Sequence, residues 1–209
     1  MLSNDLNHAV QRSGRLSDFL HHTLGTKADL DMRGRFAMAY LNISLDHREA
    51  ILLLVDAGAF ASATALQRPL LEAFVTGAWI DNNATDNEIQ NIASFTRPTP
   101  KFETMAQRLR KTHTFGKWFE VLRGHYDILG DYTHGHRRQL SRWIGRDAVE
   151  PRYSAEQMAE VLRYADIVGL LAAIHREQVA KRPIVRLLET LDAIILKQEY
   201  PGAPAVKST

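Results

Sequence analysis

Arg68 and Glu72 lie four residues apart inside the most apolar stretch of the chain, residues 57–80. Side chains at this spacing share one face of a helix and can form a salt bridge. Removing one partner of a buried pair costs about 3–5 kcal/mol, so such a pair either fixes helix packing or acts on a ligand. A guanidinium oriented by a carboxylate is suited to hold a phosphate or a carboxylate. The sequence leaves both interpretations open.

A second polar cluster spans residues 131–138, where His134 and His136 flank a glycine and Arg137 and Arg138 follow. Imidazole exchanges protons near neutral pH, and a neighbouring arginine can stabilise an extra negative charge on phosphate. These are the parts of a metal-independent ribonuclease, in which the sugar hydroxyl attacks the adjacent phosphate and a histidine serves as base or acid. Alternatively, the histidines only cap or solvate a helix end.

A metal site is the weaker alternative for the same cluster. Asp131, His134 and His136 could supply one carboxylate and two imidazoles, but their spacing matches none of the named zinc motifs. The Glu-x-x-His pairs of di-iron bundles are absent from the sequence, as are the glycine-rich and nucleophile-elbow fingerprints of NTPases, hydrolases and dinucleotide enzymes. We therefore predict no metal and no cofactor.

Positive charge is concentrated in the middle of the chain. Residues 97–152 hold 12 Lys and Arg against 6 Asp and Glu, whereas the whole chain has a net charge of only +2. Such a segment can attract RNA or a nucleotide, and Arg137, Arg138 and Arg142 are the candidate contacts; the alternative is a set of solvated helix faces.

Helical periodicity runs through the whole sequence, and no stretch alternates like a strand. We predict an all-α, single-domain antiparallel bundle of about seven or eight helices over residues 1–200, with a disordered tail over 201–209. The chain has no cysteine and no apolar run of about 20 residues, so we expect a cytoplasmic protein that does not enter the membrane.

The predicted helices follow from their apolar stripes and their Gly, Pro and capping residues. Pro69 should bend the central helix beside Arg68, because proline removes one backbone hydrogen bond. Ser154 and Gln157 fit a capping box at the start of the last long helix. The expected helices cover residues 3–24, 29–57, 60–82, 88–95, 102–111, 115–132 and 135–144, with a last helix from residue 154 that continues beyond Pro183.

The run Ala63-Thr-Ala-Leu-Gln-Arg68-Pro-Leu-Leu-Glu72, followed later by Tyr132-Thr-His134-Gly, resembles a group of uncharacterised bacterial helical-bundle proteins. That group more distantly resembles the HEPN superfamily of nucleotide-binding and RNase domains, many of which act as dimers in toxin–antitoxin and phage-defence systems. The resemblance covers roughly residues 35–175. HEPN ribonucleases carry Arg-x(4–6)-His on one helix, a spacing found here only outside the two clusters, from Arg15 to His21 or His22 and from Arg108 to His113.

From these observations we expect a HEPN-like homodimer that binds a nucleotide or RNA and acts as a metal-independent ribonuclease in a toxin or phage-defence system. Arg68 would hold phosphate, Glu72 would orient Arg68, and His134 would carry the proton. This requires the two clusters to meet, unless Arg108 and His113 form the active pair. The competing hypothesis is a non-catalytic module that binds a protein partner, with Arg68 and Glu72 as a structural ion pair.

Overall fold

The computed structural model describes residues 3–113, 116–134, 137–145 and 148–196. Within these ranges the chain forms nine α-helices and no β-strand, which confirms the predicted all-α bundle. The last predicted helix divides at Pro183, and this adds a helix to the expected number. The helices are α1 Asn4–Thr23, α2 Met32–Asp56, α3 Phe60–Asn82, α4 Asp86–Ala93, α5 Phe102–Thr112, α6 Gly116–Thr133, α7 Arg137–Ser141, α8 Ala155–Val179 and α9 Val185–Ile195.

Side chains cap the N-termini of four helices by accepting hydrogen bonds from free backbone amides. The Ser154 hydroxyl accepts from the amide of Gln157, and the Gln157 side chain accepts from the amide of Ser154. This is the predicted capping box, and it fixes the start of α8. Ser3, Asp31 and Thr85 cap α1, α2 and α4 in the same manner.

Helix α3 is the centre of the bundle. Val75, Ala78, Trp79 and Ile80 are fully buried, so every face of this part of the helix is covered. The covering helices are α2, α5, α6 and α8, each of which packs directly on α3. A helix that is apolar on nearly all sides is stable only when it is surrounded in this way.

Buried residues from eight of the helices form one hydrophobic core, and α7 contributes none of them. The short α7 is therefore held mainly by its chain neighbours and by polar contacts. In the described ranges, no helix combines the length and the apolar character that crossing a membrane requires.

The segment after α6 differs from the predicted helix over residues 135–144, because α7 ends at Ser141. The chain then doubles back: Ile144 pairs with Val149, and the amide of Gly145 donates to the carbonyl of Ala148 over 2.8 Å. This local pairing competes with helix extension. Arg142 consequently lies beyond the helix that carries Arg138, so these two candidate contacts do not share one helix face.

Arg48 of α2 and Asp166 of α8 form a buried ion pair, with side chains that are 1% and 3% exposed. Arg48 donates to Asp166 from Nε at 3.0 Å and from Nη2 at 2.7 Å. The guanidinium also donates to Ser13 and Ser17 of α1, so that one side chain links three helices. Gly169 gives it space, because a methyl group there would lie 2.9 Å from Cγ of Arg48.

We expect Arg48→Met to lower the free energy of unfolding by about 3–5 kcal/mol, since the substitution leaves the buried Asp166 carboxylate without its counter-charge. Urea denaturation followed by circular dichroism measures this loss. Arg110→Met is the matched control, because Arg110 pairs with Glu120 on the surface, where the two side chains are 49% and 56% exposed. The control should cost no more than about 1 kcal/mol. Equal losses in the two variants would contradict a structural role for the buried pair.

Candidate functional site

A proline in α3 leaves one backbone carbonyl without its helical donor, and α6 supplies a replacement. Pro69 has no N–H, so the carbonyl of Ala65, four residues earlier, lacks its usual helical partner. The hydroxyl of Thr133 in α6 lies 3.0 Å from this carbonyl and 3.0 Å from the carbonyl of Leu129, between which its single proton is shared. The hydroxyl thus compensates the missing bond and sets the C-terminal half of α6 beside Arg68.

Arg68, Glu72 and Tyr126 form a closed triangle of hydrogen bonds between α3 and α6. Arg68 donates from Nε to Oε1 of Glu72 at 2.9 Å and from Nη2 to the Tyr126 hydroxyl at 2.6 Å. The Tyr126 hydroxyl donates in turn to the same Glu72 oxygen at 2.7 Å. The predicted pairing of Arg68 with Glu72 is present, and Tyr126 is a third member that spacing alone does not reveal.

Aromatic contacts fix Tyr126 from both sides. The guanidinium of Arg68 lies 4.2 Å from the centre of its ring, and Phe102 of α5 stacks on the ring at 3.8 Å between centroids. Burial and the hydrogen bond to Glu72 raise the pKa of Tyr126, so the hydroxyl stays protonated. Burial lowers the pKa of Arg68, but its hydrogen bonds outweigh this effect and raise the pKa overall. The arginine is therefore a fixed cation.

Gly130 makes room for this cation one turn beyond Tyr126. A methyl group on Gly130 would lie 2.5 Å from Nη1 of Arg68, which is closer than non-bonded atoms approach. Glycine inside a helix costs about 0.5–1 kcal/mol relative to alanine, so the empty space has a measurable cost. Arg68, Glu72, Tyr126 and Gly130 are hereafter the Arg68 cluster. At 20% side-chain exposure, Arg68 remains accessible to solvent.

His134 extends the same row of α6, four residues after Gly130, or about 6 Å further along the helix axis. It is exposed at the end of the helix, and its amide donates to the carbonyl of Gly130 at 3.1 Å. His134 thus lies in the row of α6 whose members Tyr126 and Gly130 contact Arg68 of α3. The second predicted histidine, His136, lies outside the described residues.

The three candidate nucleic-acid contacts occupy different positions. Arg137 and Arg138 are exposed on α7, and Nε of Arg138 donates to Asp131 at 3.1 Å. Arg142 is partly buried beyond the helix end, on the side of α6 that faces α8. In the described parts of the chain, no three His, Cys, Asp or Glu side chains are grouped so that they could hold a metal ion.

A row of ionisable groups connects α3, α8 and the end of α5, and the sequence singles out only its last member, His113. Oδ2 of Asp81 lies 3.2 Å from Nε2 of His175, and Nδ1 of His175 lies 3.0 Å from Nε2 of His113. Burial, followed by the effect of His175, lowers the pKa of His113 to about 4. Its candidate partner Arg108 instead forms a salt bridge with Glu88 at 3.2 Å. The three groups come from separate helices, so no local spacing could reveal them.

Comparison with protein-family models identifies a family for most of the chain. The model of the Family of unknown function (DUF6988) matches residues 41–190, which include α3, α6, α7 and α8 in full. This match confirms the prediction of an uncharacterised family, and the HEPN resemblance stays a prediction. The curated proteins and the solved structures gave no match.

We expect Gly130→Ala to displace the Arg68 guanidinium, because the added methyl group needs space that Nη1 occupies. Gly124→Ala is the control on the same helix, since a methyl group there meets no atom within 4 Å. The control should raise the free energy of unfolding by about 0.5–1 kcal/mol, and Gly130→Ala should fall short of that gain. Urea titrations of both variants test this. An equal gain at Gly130 would mean that Arg68 is not held against α6.

The pKa of His113 predicts a dependence of stability on pH. The unfolded chain binds the His113 proton near pH 6.5, but the folded chain binds it only near pH 4, so protonation between these values favours unfolding. The melting temperature should therefore fall as the pH is lowered from about 7 to about 5, and His113→Gln should make this dependence on pH shallower. His8→Gln, at an exposed position of α1, should leave the slope unchanged. Identical slopes in all three proteins would refute the argument.

Proposed function

The chain belongs to this family of unknown function, and from its geometry we propose that it binds the phosphate of RNA or of a nucleotide at the Arg68 cluster and cleaves RNA with His134. The sequence and the HEPN resemblance motivate the same activity. The proposal further comprises a homodimer in a toxin or phage-defence system, which rests on the resemblance alone, and a cytoplasmic location, which rests on the sequence.

The unused hydrogen-bonding capacity of Arg68 carries this proposal. A guanidinium has five N–H bonds, and Arg68 uses one on Glu72 and one on Tyr126. The other three, including both on Nη1, have no acceptor among the described residues. Because Glu72 and Tyr126 fix the orientation of the group, a phosphate would meet donors that are already in position. An arginine that only joined α3 to α6 would not require three unused donors.

The exposed arginines of α7 are the further cations that this proposal assigns to the phosphate. Arg137 is exposed on α7, and the pair of Arg138 with Asp131 is a surface salt bridge whose side chains are 54% and 39% exposed. Exposed pairs are worth about 0–1 kcal/mol, so Arg138 can exchange its carboxylate partner for a phosphate at little cost. The same cations would give binding the strong salt dependence of phosphate contacts.

The reaction needs only proton transfer and charge stabilisation. His134 takes the proton of a ribose 2′-hydroxyl, whose oxygen attacks the adjacent phosphorus while Arg68 stabilises the added negative charge. The bond from phosphorus to the 5′ oxygen then breaks, and that oxygen receives a proton, for which the sequence offers His136. The products are a 2′,3′-cyclic phosphate and a 5′-hydroxyl, and no metal is required.

One observation favours the competing function of a non-catalytic interaction module. The hydrogen bonds of Arg68, Glu72 and Tyr126 close on one another, as expected for a polar contact that only joins α3 to α6. In that case the cluster fixes the bundle, and exposed helix faces bind a protein partner.

Incubation with total RNA in EDTA tests the proposed activity. We expect wild-type protein to yield fragments with 2′,3′-cyclic phosphate ends, and Arg68→Ala and His134→Ala to reduce the rate at least about a hundredfold. Binding of a non-cleavable, 2′-deoxy-substituted oligonucleotide, measured by fluorescence anisotropy, should weaken in Arg68→Ala and persist in His134→Ala.

The controls for this assay are Arg35→Ala and His8→Ala, exposed positions on α2 and α1 that should leave cleavage unchanged. Circular dichroism establishes that each variant is folded. Absence of cleavage by the wild-type protein, combined with unfolding of Arg68→Ala, would favour the interaction module. Cleavage that survives in folded Arg68→Ala would exclude the proposed site.

A further inference from the structure

A cavity of about 450 Å³ lies between α6 and α8. Both helices pack on α3, and their own side chains meet at the rings of His125 and Tyr164, whose centroids are 6.0 Å apart. The cavity lies within the range of about 300–1,000 Å³ that is usual for small-molecule sites. It borders the face of α6 that carries Leu129 and Tyr132, whereas the Arg68 cluster borders the face with Tyr126 and Gly130.

Polar side chains without a hydrogen-bond partner among the described residues line this cavity. Gln67 is only 7% exposed, and its carboxamide, with one acceptor and two donor positions, makes no hydrogen bond to any described residue. The hydroxyl of Tyr164 is buried and also lacks a partner. A buried polar group without a partner costs about 1–3 kcal/mol, so the Tyr164 hydroxyl indicates a ligand that satisfies it, and the carboxamide of Gln67 lines the same cavity.

The walls define the shape and charge of that ligand. Leu129, Met158 and Val161 are buried apolar residues, and Tyr132 and Tyr153 add aromatic surface. Such walls favour a flat, largely apolar molecule. The charged lining residues stand at the rim and carry both signs: Arg142 is partly buried, while Glu156 and Glu160 are exposed. The rim therefore does not select an anion.

The hydrogen-bonding groups restrict the ligand further. Burial raises the pKa of Tyr164, so its hydroxyl stays protonated and can donate. The carboxamide of Gln67 can donate and accept side by side, which matches a flat ring edge that carries an adjacent acceptor and donor. Nucleobases have such edges.

We propose that the cavity is a binding site for an uncharged planar heterocycle of the nucleobase type, with Gln67 pairing to the edge of the ring and Tyr164 donating to a further acceptor. The ligand would be a free nucleoside or the base of a larger molecule. This site lies outside the Arg68 cluster, and the inference holds even if the protein does not bind phosphate or cleave RNA.

The site can be tested without phosphate by titrating the full chain with a nucleoside. Isothermal titration calorimetry measures the binding of adenosine, guanosine, cytidine and uridine in turn. We expect at least one nucleoside to bind at millimolar concentration or below. Gln67→Met and Tyr164→Phe, which keep size but remove the polar groups, should each weaken that binding about tenfold. Because these nucleosides carry no phosphate, failure of this inference is distinct from failure of the proposed function.

Tyr40→Phe is the matched control, since Tyr40 is a partly buried tyrosine of α2 that does not line the cavity. It should not change the affinity. Tyr164→Phe should keep or raise the melting temperature of the free protein, because it removes a buried hydroxyl that has no partner. Failure of all four nucleosides to bind at millimolar concentration, or unchanged affinity in both cavity variants, would overturn the inference.

Discussion

Helix α3 must be enclosed, and this requirement organises the bundle. Its residues are apolar on nearly every side, so burying it requires helices all around it rather than along one face. Helices α2, α5, α6 and α8 meet the requirement together. Because α3 is enclosed, a polar side chain that is not satisfied within α3 must find a partner in a neighbouring helix or face a cavity. Arg68 does the first and Gln67 the second.

Helix α6 therefore separates two environments that differ in chemistry. On one side it presents Tyr126 and Gly130 to a guanidinium, in a mostly polar and partly solvated setting. On the other side it presents Leu129 and Tyr132 to a cavity with aromatic and apolar walls. A helix with both faces engaged leaves little freedom for rotation about its axis. A shift that improved one site would disturb the other.

The sequence predicts the fold well because helix formation and enclosure depend on local pattern. The apolar character of residues 57–80 indicated a central helix, and Ser154 marked the start of α8 correctly. The pairing of Arg68 with Glu72 was also predictable, because it depends only on spacing along one helix. Tyr126 and the fully buried pair of Arg48 with Asp166 were not, since their partners are far apart in sequence and are brought together by packing. Sequence patterns specify faces, but they do not specify which faces meet.

The compensation of Pro69 by Thr133 has a consequence for how the molecule tolerates change. Most helix contacts in the bundle depend on side-chain shape, and such contacts can slide when core residues are exchanged. The bond from Thr133 to the carbonyl of Ala65 depends instead on a gap in the backbone ladder, whose position is set by a proline. This bond prevents α6 from sliding along α3. Core residues can therefore be exchanged while the Arg68 guanidinium keeps its position against α6.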